Sequence, residues 1–377
     1  MHMSYGYTYT FPALRGVQSG REYFVAMCPL KLLPRIFLFD EAPLPPEVRA
    51  QRSLNTARIP EITRYILQNR DDYAFSAITA SIDGEVRFEP ADMGDGTTDV
   101  GRLVVPMTAR FVINDGQHRR AAIEKALEEC PELGNETIAV VFFLDIGLQC
   151  TQQLFADLNK HAVRPTKSLG ILYDHRDQMA DLCRRLINRV DIFKGLTETE
   201  KTSISNRSTK VFTLSSIYQA TSELLNKRGK SPEVTQAEEN LVIAYWQSLG
   251  NTIPEWRLVK EKRISAGELR RDFVHVHGVV LQAMGCMGSD LLALYPADWQ
   301  ERLKVLATVD WARTNVGLWE GRAMIHGRIS RARTSITLTV NVLKSVLDLP
   351  LNPEEKRAED EFNRRYMSGK ARTGGEK

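Results

Sequence analysis

No stretch of this sequence approaches the ~20 consecutive apolar residues that a membrane-spanning helix needs. The longest apolar run, Ile138 to Leu144, has the length of a buried strand. Cysteine is sparse: Cys28, Cys130, Cys150, Cys183 and Cys286 are scattered, none in a C-x-x-C arrangement, and their odd number argues against a disulfide framework. No zinc-finger spacing occurs, so no metal ion is expected. There is no Walker A loop, no G-x-S-x-G elbow and no H-E-x-x-H helix, and no cofactor is expected. Internal repeats are absent. The helical stretches Ser168–Val190 and Thr213–Asn226 lie too far apart to form a standard helix-turn-helix. No apolar segment follows Met1-His2-Met3, so Met3 reads as the natural start, no secretory signal is expected, and the cytoplasm is the expected compartment.

What is present is an ordinary globular composition, 43% hydrophobic and 26% charged over 377 residues. That length accommodates roughly two or three domains. Net charge is only +3, but it is unevenly spread. Residues 1–170 carry 18 Lys+Arg against 21 Asp+Glu, and the remainder 32 against 26. A basic second half fits an anionic partner, and equally fits ordinary solubility.

The first half alternates short strands and helices. Tyr5, Tyr7, Tyr9 and Phe11 have the period of a strand, Tyr23 to Met27 is a second strand, and Gly16 and Gly20 between them predict a hairpin or loop. Pro60 to Asn69 predicts a helix. Ile78, Ala80 and Ile82 alternate as a strand, and Asp83-Gly84 marks a tight turn into Val86–Phe88. Arg110 to Asn114 is a strand, Gln117 to Cys130 a helix with Ile123, Ala126, Leu127 and Cys130 on its buried stripe, Ile138 to Leu144 a central strand, and Thr151 to Lys160 a helix. This is a mixed α/β domain. Beyond residue 171 the period becomes helical: Met179, Leu182, Leu186 and Val190 share a face, and Thr235/Glu238 and Ser265/Glu268 have capping-box spacing. Residues 335–343 fit strand or helix, and their continuation to Leu347 favours helix. The expected architecture is α/β (α+β), with a mixed-sheet domain over 3–170, a mostly helical domain over 171–367 and a disordered tail over 368–377.

The chemistry concentrates at Asp115-Gly116-Gln117-His118-Arg119-Arg120. A strand feeds a glycine turn and a helix begins at once. First-turn amides and the positive end of the helix dipole favour an anion, and Gln117, His118, Arg119 and Arg120 add side-chain donors suited to a phosphate. Arg119 can grip phosphate oxygens bidentately, and His118 can donate in either protonation state. Asp115 would repel a phosphate unless it holds a neighbouring Arg, binds a metal or caps the helix. The same residues also admit a structural reading, with Asp115 as the N-cap and the arginines as a solvated face.

Other clusters are candidate backbone contacts. Lys160, Arg164 and Lys167 lie in a loop held by Pro165 with no acid among them. Arg207 and Lys210 lie in a Ser/Thr-rich stretch leading to Thr213. Arg257, Lys260, Lys262, Arg263, Arg270 and Arg271 form one basic region, and Arg322, His326, Arg328, Arg331 and Arg333 a second. His275-Val-His277 alternates as metal ligands in a strand would, but no third ligand lies near; core or surface histidines are the simpler reading. Cys28, beside Pro29, reads as a buried structural thiol.

The motif Asp115-Gly116-Gln117-His118-Arg119 resembles the signature of the DGQHR-domain family, which includes the DndB proteins of DNA sulfur modification. Asn55-Thr-Ala-Arg58-Ile-Pro60-Glu61-Ile62-Thr-Arg64-Tyr65-Ile66 is similar to the family's upstream helix, Phe155-Ala-Asp157-Leu158-Asn159-Lys160 followed by Lys167-Ser168-Leu169 to its downstream element, and Leu347 to Glu355 to its carboxy-terminal segment. The resemblance implies a ParB/sulfiredoxin-like domain whose turn and helix at Gly116–Ala121 contact phosphate. It departs from ParB in placing Gln117 and His118 where an acidic residue and an Arg are usual, and from sulfiredoxin in having no Cys within Arg110–Ala122. It further implies a DNA-binding regulator that represses the DNA phosphorothioate modification operon by binding double-stranded promoter DNA, with Asn55 and Arg58 among the contacts. A bound nucleotide and a homo-oligomer are further expectations, and no membrane partner is expected. Two rivals stand beside this reading: a nucleotide-hydrolysing or DNA-nicking enzyme using Asp115 to Arg119, and a scaffold for other modification proteins.

Overall fold

The computed structural model describes residues 7–37, 56–144, 165–227 and 232–373. The chain divides into two compact units, residues 1–163 and 164–377.

In the first unit, β1 (Thr8–Gln18) and β2 (Arg21–Pro29) form a hairpin whose buried residues Phe11, Ala13, Phe24, Ala26 and Cys28 fall on one face. The turn is Ser19-Gly20 with both φ positive, at 52° and 72°, the arrangement that matches strand twist in a two-residue hairpin. Gly16 lies inside β1 rather than in a loop. Strands β3 (Ile78–Asp83), β4 (Arg87–Pro90), β5 (Val100–Pro106), β6 (Arg110–Asp115) and β7 (Thr137–Leu144) complete a seven-stranded sheet in the order β4-β5-β1-β2-β7-β3-β6. Among the described strands of this sheet, β3 and β7 are the one parallel pair. The expected tight turn at Asp83-Gly84 therefore joins no hairpin: β3 pairs with β7 and β6, and four strands separate it from β4. An Asp-Gly dipeptide reports a local chain reversal. It carries no information about pairing, and the fully buried Ile78, Ala80 and Ile82 require an interior position.

Short α1 (Leu33–Ile36), α2 (Ile59–Gln68) and α3 (Gln117–Glu129) share a core with the sheet. Ile59 and Ile66 of α2 meet Ala122, Ile123 and Ala126 of α3 in that core, and Thr63 donates to the carbonyls of Ile59 (3.0 Å) and Ala122 (3.3 Å). Truncating a residue such as Ile123 to Ala would cost about 2–5 kcal/mol, because the cavity cannot fully collapse. Residues 151–160, expected as a helix, lie outside the described residues.

The second unit is helical. α4 (Lys167–Tyr173) is capped by Thr166 and docks through Ser168, which donates to Lys201 O at 2.9 Å. The expected domain boundary at 170/171 cuts this helix, so it moves back to 163/164. There follow α5 (Gln178–Arg189), α6 (Leu214–Leu224), α7 (Gln236–Thr252), α8 (Pro254–Lys260), α9 (Ala266–Asp272), α10 (Gly278–Leu294), α11 (Trp299–Leu303), α12 (Val316–Trp319), α13 (Arg333–Val346) and α14 (Pro353–Thr373). Both expected capping boxes form, at Thr235/Glu238 and Ser265/Glu268. The ambiguous 335–343 segment is helical, with Leu338, Val342 and Leu343 buried. All five tryptophans join one core with Phe193, Phe212 and Tyr245. α10 packs on α6 and α13. It approaches α6 so closely that a Cβ on Gly285 would lie 2.1 Å from Ala220 O, which only glycine permits. α14 runs to Thr373.

Candidate functional site

At the signature turn, β6 delivers Asp115, Gly116 takes φ 108°, and α3 starts at Gln117. Asp115 is not the N-cap: Gly116 holds that place and no side chain caps the helix. The Asp115 carboxylate instead accepts from Arg119 Nη2 at 2.7 Å, one helical turn on, and the same nitrogen donates to Ala77 O at 3.1 Å. Gln117 Nε2 folds back to the carbonyls of Ile113 (3.3 Å) and Asn114 (3.4 Å). Arg120 is neither a solvated cation nor placed for a phosphate. It is 4% exposed, forks onto Glu124 at 2.6 and 3.2 Å, and reaches Pro34 O at 3.4 Å. Asp115, Gln117, Arg119 and Arg120 thus hold the turn's own shape.

His118 remains part-exposed. Burial first, then the nearby positive charges of Arg58 and Arg119, lower its pKa from 6.5 against the opposing pull of Asp115, so the imidazole is neutral at pH 7. Arg58, exposed just before α2, is thus one of the charges acting on the His118 ring. Asn55, Lys160 and Arg164 lie outside the described residues.

In the second unit, residues far apart in sequence line one cleft of about 1120 Å³. Lys167, Arg271, Arg313 and Arg331 bring positive charge, and Glu268 is the one carboxylate among the described lining residues. Glu268 is itself held at the α9 capping box, accepting from Ser265 N at 2.8 Å. Thr202, Ser203, Asn206, Ser215, Gln219 and Gln282 add neutral donors. The first turns of α6, α10 and α13 reach the wall through Ser216, Val279 and Ile336. α10 and α13 carry no side-chain cap and no acid in the first turn. The cleft therefore combines cations with the positive ends of helix dipoles.

The cations differ in availability. Arg270 frames the wall: it donates to the carbonyls of Ser205 (2.8 Å), Asn206 (3.2 Å), Ser208 (3.2 Å) and Lys210. Its own carbonyl accepts from His277 Nε2–H at 2.9 Å. Lys210 is tied to Gly195 O at 2.9 Å, and Arg207 is exposed next to Asn206. Arg313 donates to Arg271 O (3.2 Å) and Gly327 O (2.7 Å). Arg271 pairs with Asp272 on the surface. Arg322 is engaged by Glu359, and Arg333 by Glu354 at 3.2 Å. Among the described residues, Lys167, Arg328 and Arg331 have no carboxylate partner, and all three are exposed.

Of the two histidines read as core or surface residues, His275 is buried and His277 part-buried. Trp256 donates to His275 Nδ1 at 2.9 Å, and burial lowers the pKa of His277 to about 4. Burial pushes the Cys28 thiol up to about 12, the behaviour of a structural cysteine. Among the described residues no group of three His, Cys, Asp or Glu is arranged to hold a metal ion.

A family model described as DndB, DNA-sulfur modification-associated, matches residues 11–350, across both units. The chain belongs to the DndB family. No curated protein and no solved structure matches it. The family match spans the signature turn and the whole cleft. Of the cleft residues, the sequence marked Lys167, Arg271 and Arg331. It missed Arg313, Gln219 and Gln282, since single polar residues on separate helices carry no local signal that they converge.

Proposed function

We propose that this chain is a DNA-binding transcriptional regulator of the DNA phosphorothioate modification genes. The observation that carries the reading is the basic cleft of the second unit, where Lys167, Arg271, Arg313 and Arg331 face hydroxyl and amide donors with one engaged carboxylate. Its volume of about 1120 Å³ lies at the upper limit of small-molecule pockets, which hold roughly 300–1,000 Å³. A stretch of sugar-phosphate backbone suits such a cleft, since mixed cationic and neutral donors are what phosphate oxygens accept from. For the first unit, the proposed phosphate contacts are the first-turn amides of α3 with the side chains of His118 and Arg58. Support for an enzyme at that turn is weaker. The Asp115 carboxylate, the metal ligand or base such an enzyme would use, is engaged by Arg119.

The test is binding to a duplex carrying the promoter of the chain's own modification operon, against a shuffled duplex, across a salt series. Promoter preference, with affinity falling linearly in log salt, is expected. Equal affinity for both duplexes at every salt concentration would remove the regulator reading, and sustained nicking or nucleotide hydrolysis by the parent would promote the enzyme.

A further inference from the structure

The rim of the cleft carries a short hairpin whose backbone is unusually well fixed for an exposed tip. Strands β8 (Met324–Ile325) and β9 (Arg328–Ile329) pair antiparallel around His326-Gly327. Both turn residues have positive φ, 49° and 70°, the two-residue turn that matches strand twist. The Glu320 carboxylate accepts from the amides of His326 and Gly327, the latter at 3.1 Å. Arg313, a cleft residue, donates to Gly327 O at 2.7 Å. Met324 anchors the base at 1% exposure, and Ser330 N donates to Ala323 O at 3.0 Å. The tip's backbone groups are thus satisfied from within, while the side chains of Ile325, His326 and Arg328 are left in solvent.

The left-handed turn holds the exposed side chains of His326 and Arg328 at one tip. Arg328 has no carboxylate partner among the described residues, although Arg322 and Arg333 on either side are both paired. Arg331, two residues past β9, lines the cleft, so the hairpin and the cleft wall form one continuous surface.

We propose that the Met324–Ile329 hairpin is the element that reads DNA sequence, with Arg328 and His326 as its specificity-determining side chains. The inference rests on the DNA-binding reading above and deepens it. Phosphate contacts fix register but carry no sequence information; base edges must be reached from a groove. A two-stranded ribbon fits the major groove, where an arginine donates bidentately to O6 and N7 of guanine. With the backbone held by Lys167, Arg271 and Arg331, the hairpin beside them is the protrusion placed to enter the groove. Its rigidity limits the entropy lost on binding.

The experiment measures affinity for promoter and shuffled duplexes at one salt concentration, for the parent and for Arg328→Ala, Arg328→Lys, His326→Asn and Arg331→Ala. His326→Asn keeps a residue that tolerates the left-handed turn, and thermal unfolding checks that each variant is folded. Arg328→Ala is expected to weaken promoter binding roughly 10- to 100-fold, the value of one bidentate base contact, with the shuffled duplex affected at most a few-fold. Arg328→Lys is not expected to restore the preference, since Lys cannot make the fork. His326→Asn should lower the preference more modestly, while Arg331→Ala should weaken both duplexes alike. A parent with promoter preference that survives intact in folded Arg328→Ala and His326→Asn overturns the hairpin assignment and leaves the regulator reading standing. A parent with no preference overturns both.

Discussion

At Gly116 two physical demands meet in one residue. Its φ of 108° is closed to ordinary side chains, and a Cβ there would come within 3.0 Å of both Ile78 Cγ1 and Arg119 Nη2. Ile78 belongs to an interior strand and cannot retreat, and the Arg119 guanidinium is the group that holds Asp115 and Ala77. Gly116→Ala is therefore expected to destabilise the first unit by about 1–3 kcal/mol, the range for a strained backbone position, as read from urea unfolding. A variant as stable as the parent would show that the turn relaxes freely. Arg119→Lys tests the other half of the lock. Lysine can keep the charge but not reach Asp115 and a carbonyl from one planar head, so a loss of about 1–2 kcal/mol is expected. Unchanged stability in Arg119→Lys, with anion binding lost, would return Arg119 to the phosphate-gripping role that its sequence position predicted. Sequence spacing could place Arg119 beside Gly116. It could not decide whether its donors face a ligand or the residue four positions earlier.

At the scale of elements, α9 and the start of α10 are joined by a titratable contact. His277 is the N-terminal boundary residue of α10, and its Nε2–H donates to Arg270 O. Burial holds its pKa near 4, with Arg313, His275 and Arg270 adding repulsion to the charged form. The folded value lies below the unfolded one of 6.5. The unfolded chain therefore binds the proton first, so the contribution to stability is complete above about pH 6.5 and is lost as pH falls toward 4. At about 1.36 kcal/mol per unit of pKa difference, the loss amounts to about 3 kcal/mol. His277→Gln keeps a donor without the proton equilibrium and should flatten the fall in unfolding free energy between pH 6.5 and 4. An equally steep fall in the variant would assign it elsewhere, with His275, also lowered by burial, the first alternative. The sequence left core and surface positions open for these histidines, because burial depends on the elements packed around them and not on their alternation.

For the whole molecule, the second unit was legible where residues share an element and illegible where they converge from several. The helical period at Met179 to Val190 and the two capping boxes needed only neighbours within a turn, and all are seen. The sheet order needed long-range pairing, which is why Asp83-Gly84 misled. The cleft needed five separate segments to meet, and the basic clusters read along the chain divide differently in space. Arg322 and Arg333 are absorbed by Glu359 and Glu354, whereas Lys167 and Arg331, far apart in sequence, line one wall. That division can be measured. A cation that binds phosphate releases condensed counterions, about 0.9 in the log–log salt slope per phosphate neutralised. Replacing Lys167 and Arg331 together by Ala should weaken binding to every duplex and reduce the slope by about 2. Arg333→Ala, whose guanidinium already faces a carboxylate at 3.2 Å, should leave the slope within about 0.3 of the parent, a small part of one phosphate contact. If instead Arg333→Ala flattens the slope and the cleft pair does not, DNA runs along the α13–α14 surface rather than through the cleft, and the cations of the cleft serve only to hold its wall.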